Sequence, residues 1–188
     1  MHLNGEDAGQ SIALVKTCCS SVSDPFPDII ELLGDSNWRP HLVASVAIMI
    51  SGYHSEAVRL LWRRVDTGSW VTPQLCATLS LINPEFLQQA RSRLVSGCPL
   101  DATELREMDP AERHSAAGPA GILQRSSKAA SALMCLSQMA SPQPQWIHEL
   151  HASADMQKLL EEDMDASDQI AEQWLSKVTT LLGPIEGS

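Results

Sequence analysis

Apolar residues recur along this chain mostly at spacings of three and four, and no segment sustains apolar–polar alternation. The pattern predicts helices throughout and no strands. Residues 1–24 are polar and Ser-rich, with a short helix over Ser11 to Cys19. Asp24-Pro25-Phe26-Pro27-Asp28 reads as a punctuated start for a helix that ends at Gly34. Two longer segments then echo each other at a shift of 33 residues: Pro40 to Ile50 and Pro73 to Asn83 match in small or apolar character at almost every step. The echo continues through Tyr53 with Phe86, Ala57 with Ala90 and Leu61 with Leu94, and a Trp precedes each Pro, at Trp38 and Trp70. Each unit therefore reads as two helices: Pro40 to Ser51 then Glu56 to Val65 capped by Ser55, and Pro73 to Ile82 then Glu85 to Val95 closed by Gly97.

Beyond the repeat the signal is less regular. Asp101-Ala102-Thr103-Glu104 has capping-box spacing, Asp109-Pro110-Ala111-Glu112 is a second helix start, and His114 to Gly121 reads as a loop. A helix over about Ile122 to Ala140, with Leu133, Leu136 and Met139 inward, stops at Ser141-Pro142. From Gln145 to Leu182 the chain is helical again, and Leu160, Met164, Ser167, Ala171, Trp174, Val178 and Leu181 form one buried stripe. Ser and Asp residues over Asp165 to Asp168 offer caps that would divide it, so one helix or two remains open. The expected organisation is an N-terminal segment at 1–24 and a single helical-repeat domain at 25–188. That domain holds two repeat units at 36–97, a connecting region at 98–121 and C-terminal helices at 122–182.

These two units resemble HEAT-type repeats, over residues 28–97. The resemblance rests on the Pro-led helices at Pro40 and Pro73 and the second helices at Glu56 to Val65 and Glu85 to Val95. It implies an all-α fold, a short right-handed α-solenoid of stacked helix pairs with a C-terminal helical segment, and service as a binding scaffold. Folds of this kind also include DNA glycosylases and bilin lyases, so architecture alone does not assign function.

Composition narrows the function classes. The chain has 188 residues, 44% apolar, enough for one cored domain, and five of its eight aromatics are Trp. The net charge of −10 is uneven: residues 1–35 carry six acids and one base, 36–98 three acids and six bases, and 142–188 nine acids and two bases. An acidic chain repels nucleic acid at long range, so a basic protein is the natural partner. The longest apolar stretch, Leu42 to Ile50, is half a membrane span. Five Cys, two adjacent and none in a CxxC, with no basic-then-apolar leader, point to a cytoplasmic protein with reduced thiols.

No cofactor, metal or catalytic residue is assigned. His148-Glu149-Leu150-His151 is one residue short of HExxH, and no third ligand accompanies it. His114-Ser115 lacks a GxSxG elbow, and Gly118-Pro119-Ala120-Gly121 lacks the Lys of a phosphate loop. Two clusters suit partner binding instead. Glu161, Asp165, Asp168 and Glu172 would share one face of a continuous helix, and Trp62, Arg63, Arg64 and Trp70 combine the residue types that dominate interface hot spots. The leading expectation is a protein–protein interaction module that recognises a basic toxin or effector by shape and charge, as an immunity protein or antitoxin does. The alternatives are an enzyme of unfamiliar type using His114, His148, His151 and the carboxylates, or a nucleic-acid binder using Arg59, Arg63, Arg64, Arg91 and Arg93.

Overall fold

A computed structural model describes residues 8–97 and 126–183. Among them every regular element is a helix: α1 Ala8–Ser21, α2 Phe26–Gly34, α3 Trp38–Ser51, α4 Ser55–Asp66, α5 Thr72–Ile82, α6 Phe86–Ser96, α7 Ser127–Gln138, α8 Trp146–His151, α9 Ala154–Glu161 and α10 Ser167–Leu182. The expected features at 101–104, 109–112 and 114–121 lie outside the described residues.

Helix starts follow local polar chemistry. The Asn37 side chain accepts from the Arg39 N–H at 3.1 Å, so α3 opens at Trp38 and holds Pro40 in its first turn. Ser126 and Ser153 cap α7 and α9 in the same way. The expected cap at Ser55 is displaced by one residue: His54 Nδ1 accepts from the Ala57 N–H at 3.4 Å, and Ser55 is the first helical residue. Gly52 and Gly97 take φ of 92° and 82° at the ends of α3 and α6, a backbone that side-chain-bearing residues avoid.

The 33-residue echo has a structural counterpart. Leu42 and Leu75, Ala44 and Ala77, Val46 and Leu79, Ala57 and Ala90, and Leu61 and Leu94 are all buried. Ser45 and Thr78 are also equivalent, each donating its hydroxyl to the carbonyl four residues back, at 2.8 and 2.9 Å. Tyr53 and Phe86 diverge: Phe86 is buried against Trp62, whereas Tyr53 lies at the surface.

Helices α3 and α5 are apolar around their whole circumference, and a helix of that kind needs cover on every side. They receive it. Helix α3 packs against α1, α2 and α5, while α5 packs against α3, α4, α6, α7 and α10. Helix α4 lies chiefly on α2 and α5, and α8 and α9 cover α7. The last helix, α10, returns across α5 and α7, with Trp174 Nε1 donating to Thr78 Oγ1 at 3.3 Å.

The segment from 145 to 182 is three helices. Ala166 adopts φ 50°, and Asp163 organises the break before α10: its carboxylate accepts from the Ser167 N–H at 2.8 Å and the Ser167 hydroxyl at 3.0 Å. The predicted stripe survives only in part. Ser167, Ala171, Trp174 and Val178 are buried, but the break turns Met164 outward, and Leu181 is exposed near the helix end. Met139, expected inward, is also exposed because α7 stops at Gln138.

Candidate protein-binding surface

Trp70 stands on the turn between α4 and α5, and that turn is firmly held. His41 is buried, with Nε2 2.8 Å from the Asp35 carbonyl and Nδ1 3.2 Å from Ser69 Oγ. A carbonyl only accepts, so Nε2 carries a proton and donates to it, while Nδ1 and the Ser69 hydroxyl share the second bond. Thr72 Oγ1 in turn donates to the Ser69 carbonyl at 2.7 Å. On this fixed turn the Trp70 side chain is 78% exposed. The Lys128 ammonium, on the first turn of α7, sits 5.0 Å from its ring centroid and 2.6 Å from Asp165 Oδ2. One cation thus joins an indole from the repeat to a carboxylate from the loop before α10. The ion pair is half-exposed, so its value is positional and it adds little stability.

Around Asp165 the loop is acidic with one apolar projection. Glu161 and Glu162 are exposed, and Met164, between Asp163 and Asp165, is 90% exposed. Burial pushes the Asp163 carboxyl up. Hydrogen bonds from the Ser167 N–H, the Ser131 and Ser167 hydroxyls and the Asp165 N–H outweigh it, leaving Asp163 below its ordinary value and charged. Asp163 therefore shapes the loop while its neighbours face outward. The four carboxylates expected on one continuous helix face are distributed differently, because the helix is interrupted. Glu161 ends α9, Asp165 lies in the loop, and Asp168 and Glu172 follow on α10, Asp168 half-buried and Glu172 exposed.

The other expected cluster divides into surface and core. Trp62 is buried, stacked on Phe86 at 6.0 Å between centroids and covered by the Arg93 guanidinium at 4.0 Å. Arg64 is also buried, and its Nε donates to the Leu33 carbonyl at 2.6 Å. These two residues hold the helices together; Arg64 is enclosed, and the Trp62 ring forms part of the floor of the groove between α4 and α6. Arg63 is half-buried in a polar groove of about 330 Å³ between α4 and α6 that Tyr53, Asp66, Gln89 and Arg93 also line. In that groove Arg93 makes a bidentate pair with Asp66, both bonds 2.8 Å, and Arg59 pairs with Glu56. Of the five arginines weighed for nucleic acid, Arg59, Arg64 and Arg93 have intramolecular acceptors.

The remaining chemistry is sparse. His148 and His151 are exposed on α8, and among the described residues no three His, Cys, Asp or Glu side chains converge as a metal cluster. His114 lies outside the described residues. Burial pushes the Cys76 thiol far above its ordinary range; burial, Asp168 and Glu172 push Cys135 up as well. Both are structural thiols. Sequence reasoning overlooked Lys128 and misplaced Met164. The available signal was Asp163 four residues before Ser167, an acidic residue able to cap a new helix. No family model, curated protein or solved structure matches this chain.

Proposed function

We propose that this protein is an interaction module whose Trp70–Lys128–Asp165 face, with Met164 and the flanking carboxylates, docks a basic protein partner. The observation that carries this reading is the exposure of Trp70 and Met164 within an acidic field. A large aromatic left in water on a rigid turn is an anchor in search of a pocket, and Trp heads the residue types found at hot spots. The excess of nine acids over two bases across residues 142–188 supplies long-range attraction for a cationic surface. Among the described residues no helix is long and apolar enough to cross a membrane, which suits a partner met in solution.

In its narrower form the reading is a neutraliser of a basic toxin or effector, acting in the cytoplasm as an immunity protein or antitoxin. The matched burial in the two echoed units supports a short HEAT-like stack, closed by α10, as the scaffold. Capture from the native cell tests the proposal, with the wild-type chain and the variant Glu161→Lys/Glu162→Lys/Asp165→Lys as parallel baits. The expected partner is basic, is lost from the variant, and is released as salt rises. A stoichiometric partner retained equally by both baits removes the assignment.

A further inference from the structure

The groove between α1 and α2 lies apart from the docking face and has a chemistry of its own. Both helices pack on α3, and between them runs a channel of about 450 Å³. Leu14, Cys18 and Cys19 line it from α1, Ile29 and Leu32 from α2, and Ala47 from α3. Leu14 is 66% exposed, so the wall is largely apolar surface left in water, with the polar groups of Ser11 and Asp28 also on it. Two thiols of the described chain open onto it, Cys18 exposed and Cys19 half-buried, neither in a disulfide.

The size of the channel bounds the length of a slim chain laid in it. A methylene occupies close to the roughly 30 Å³ of a water, so the same space takes about fifteen in a row. A single slim apolar chain fits along the groove. The thiols at the wall provide the means of attachment.

We propose that the Cys18–Cys19 pair is a site of S-acylation and that the attached long acyl chain lies in the α1–α2 groove. The cysteine sulfur, as thiolate, attacks the carbonyl carbon of a long-chain acyl thioester. A new C–S bond forms, the donor's C–S bond breaks, and the donor thiolate leaves and takes up the proton that the cysteine lost. No oxidant or reductant takes part. The chain then removes its own methylenes and the groove wall from water together.

The test incubates the full chain with palmitoyl-coenzyme A and follows intact mass. One palmitoyl adduct is expected, released by neutral hydroxylamine, mapped to Cys18 or Cys19 and absent from C18S/C19S. With acetyl-coenzyme A the reaction should run at least about tenfold more slowly, the direction expected when methylene burial draws the donor in. The Leu14→Asp variant places a charge on the groove at an exposed position that leaves the fold intact. It should slow palmitoylation by at least about tenfold and leave acetylation unchanged, because a charge penalises an apolar chain. The proposal is overturned by no adduct, by an adduct on another cysteine, by equal rates for the two donors, or by indifference to Leu14→Asp. Self-association through unmodified α1, seen by light scattering, would give the groove to a second copy and overturn it as well.

Discussion

Replacing Arg93 by Ala removes the electrostatic clamp between α4 and α6. The Arg93 and Asp66 side chains are only 9% and 5% exposed, and they meet through two 2.8 Å bonds. Asp66 is the last residue of α4, where the negative end of the helix dipole disfavours a carboxylate and the guanidinium opposes that effect. The same guanidinium covers the Trp62 ring at 4.0 Å and donates to Gln89 Oε1 at 2.8 Å. Truncating one partner of a buried pair costs about 3–5 kcal/mol, mainly through the buried charge left behind. That is a large share of the ~5–15 kcal/mol that holds a domain of this kind together. With a urea slope of about 2 kcal/mol per M, the midpoint of far-UV circular dichroism unfolding should fall by roughly 1.5–2.5 M. The double variant Arg93→Met/Asp66→Leu removes both charges and should recover most of the loss, since apolar replacement of a whole buried pair is near neutral. A midpoint for Arg93→Ala within about 0.5 M of wild type, near 1 kcal/mol on the same slope, would refute the reasoning.

Further expectations follow from the other buried polar groups. Thr78→Val leaves the Trp174 indole N–H buried without its acceptor; denaturation should show a loss of about 1–3 kcal/mol. Asp163→Ala removes the acceptor for the Ser167 N–H and hydroxyl and should cost about 0.5–2 kcal/mol at pH 7. The folded-state value of Asp163 is depressed, so its contribution is present above the ordinary value of 3.8 and is lost as pH falls through the folded value. Urea titrations at descending pH should therefore show the gap between wild type and Asp163→Ala closing below pH 3.8, and a gap that widens there contradicts the assignment. In the native chain Ellman's reagent should modify exposed Cys18 rapidly and buried Cys76 only on unfolding. Fast native labelling of Cys76 would place it wrongly.

The helices were readable from the sequence because their signals are local: apolar spacing, Pro40 and Pro73 in first turns, and the closing glycine at 97, whereas the caps at Asn37 and Ser126 went unread. The equivalence of Ser45 and Thr78 was implicit in the echo, since a small hydroxyl residue at the same phase of a buried helix finds the same carbonyl. The surface was less legible. Periodicity alone could not foresee that Ala166 would turn left-handed and expel Met164 from the stripe. The burial of Trp62 and Arg64 depends on contacts with Phe86, Arg93 and Leu33, which lie 24 to 31 residues away in the chain. The meeting of Trp70 with Asp165 through Lys128 crosses about half the sequence, and no local rule reports a contact of that span.

The most direct test of the docking account is amide hydrogen exchange on the chain alone and saturated with its captured partner. The account predicts slowed exchange together in three separated stretches: the turn at 66–72, the start of α7 and the loop at 161–168. Protection confined to the α4–α6 groove, or to the acidic loop without the Trp70 turn, would contradict it.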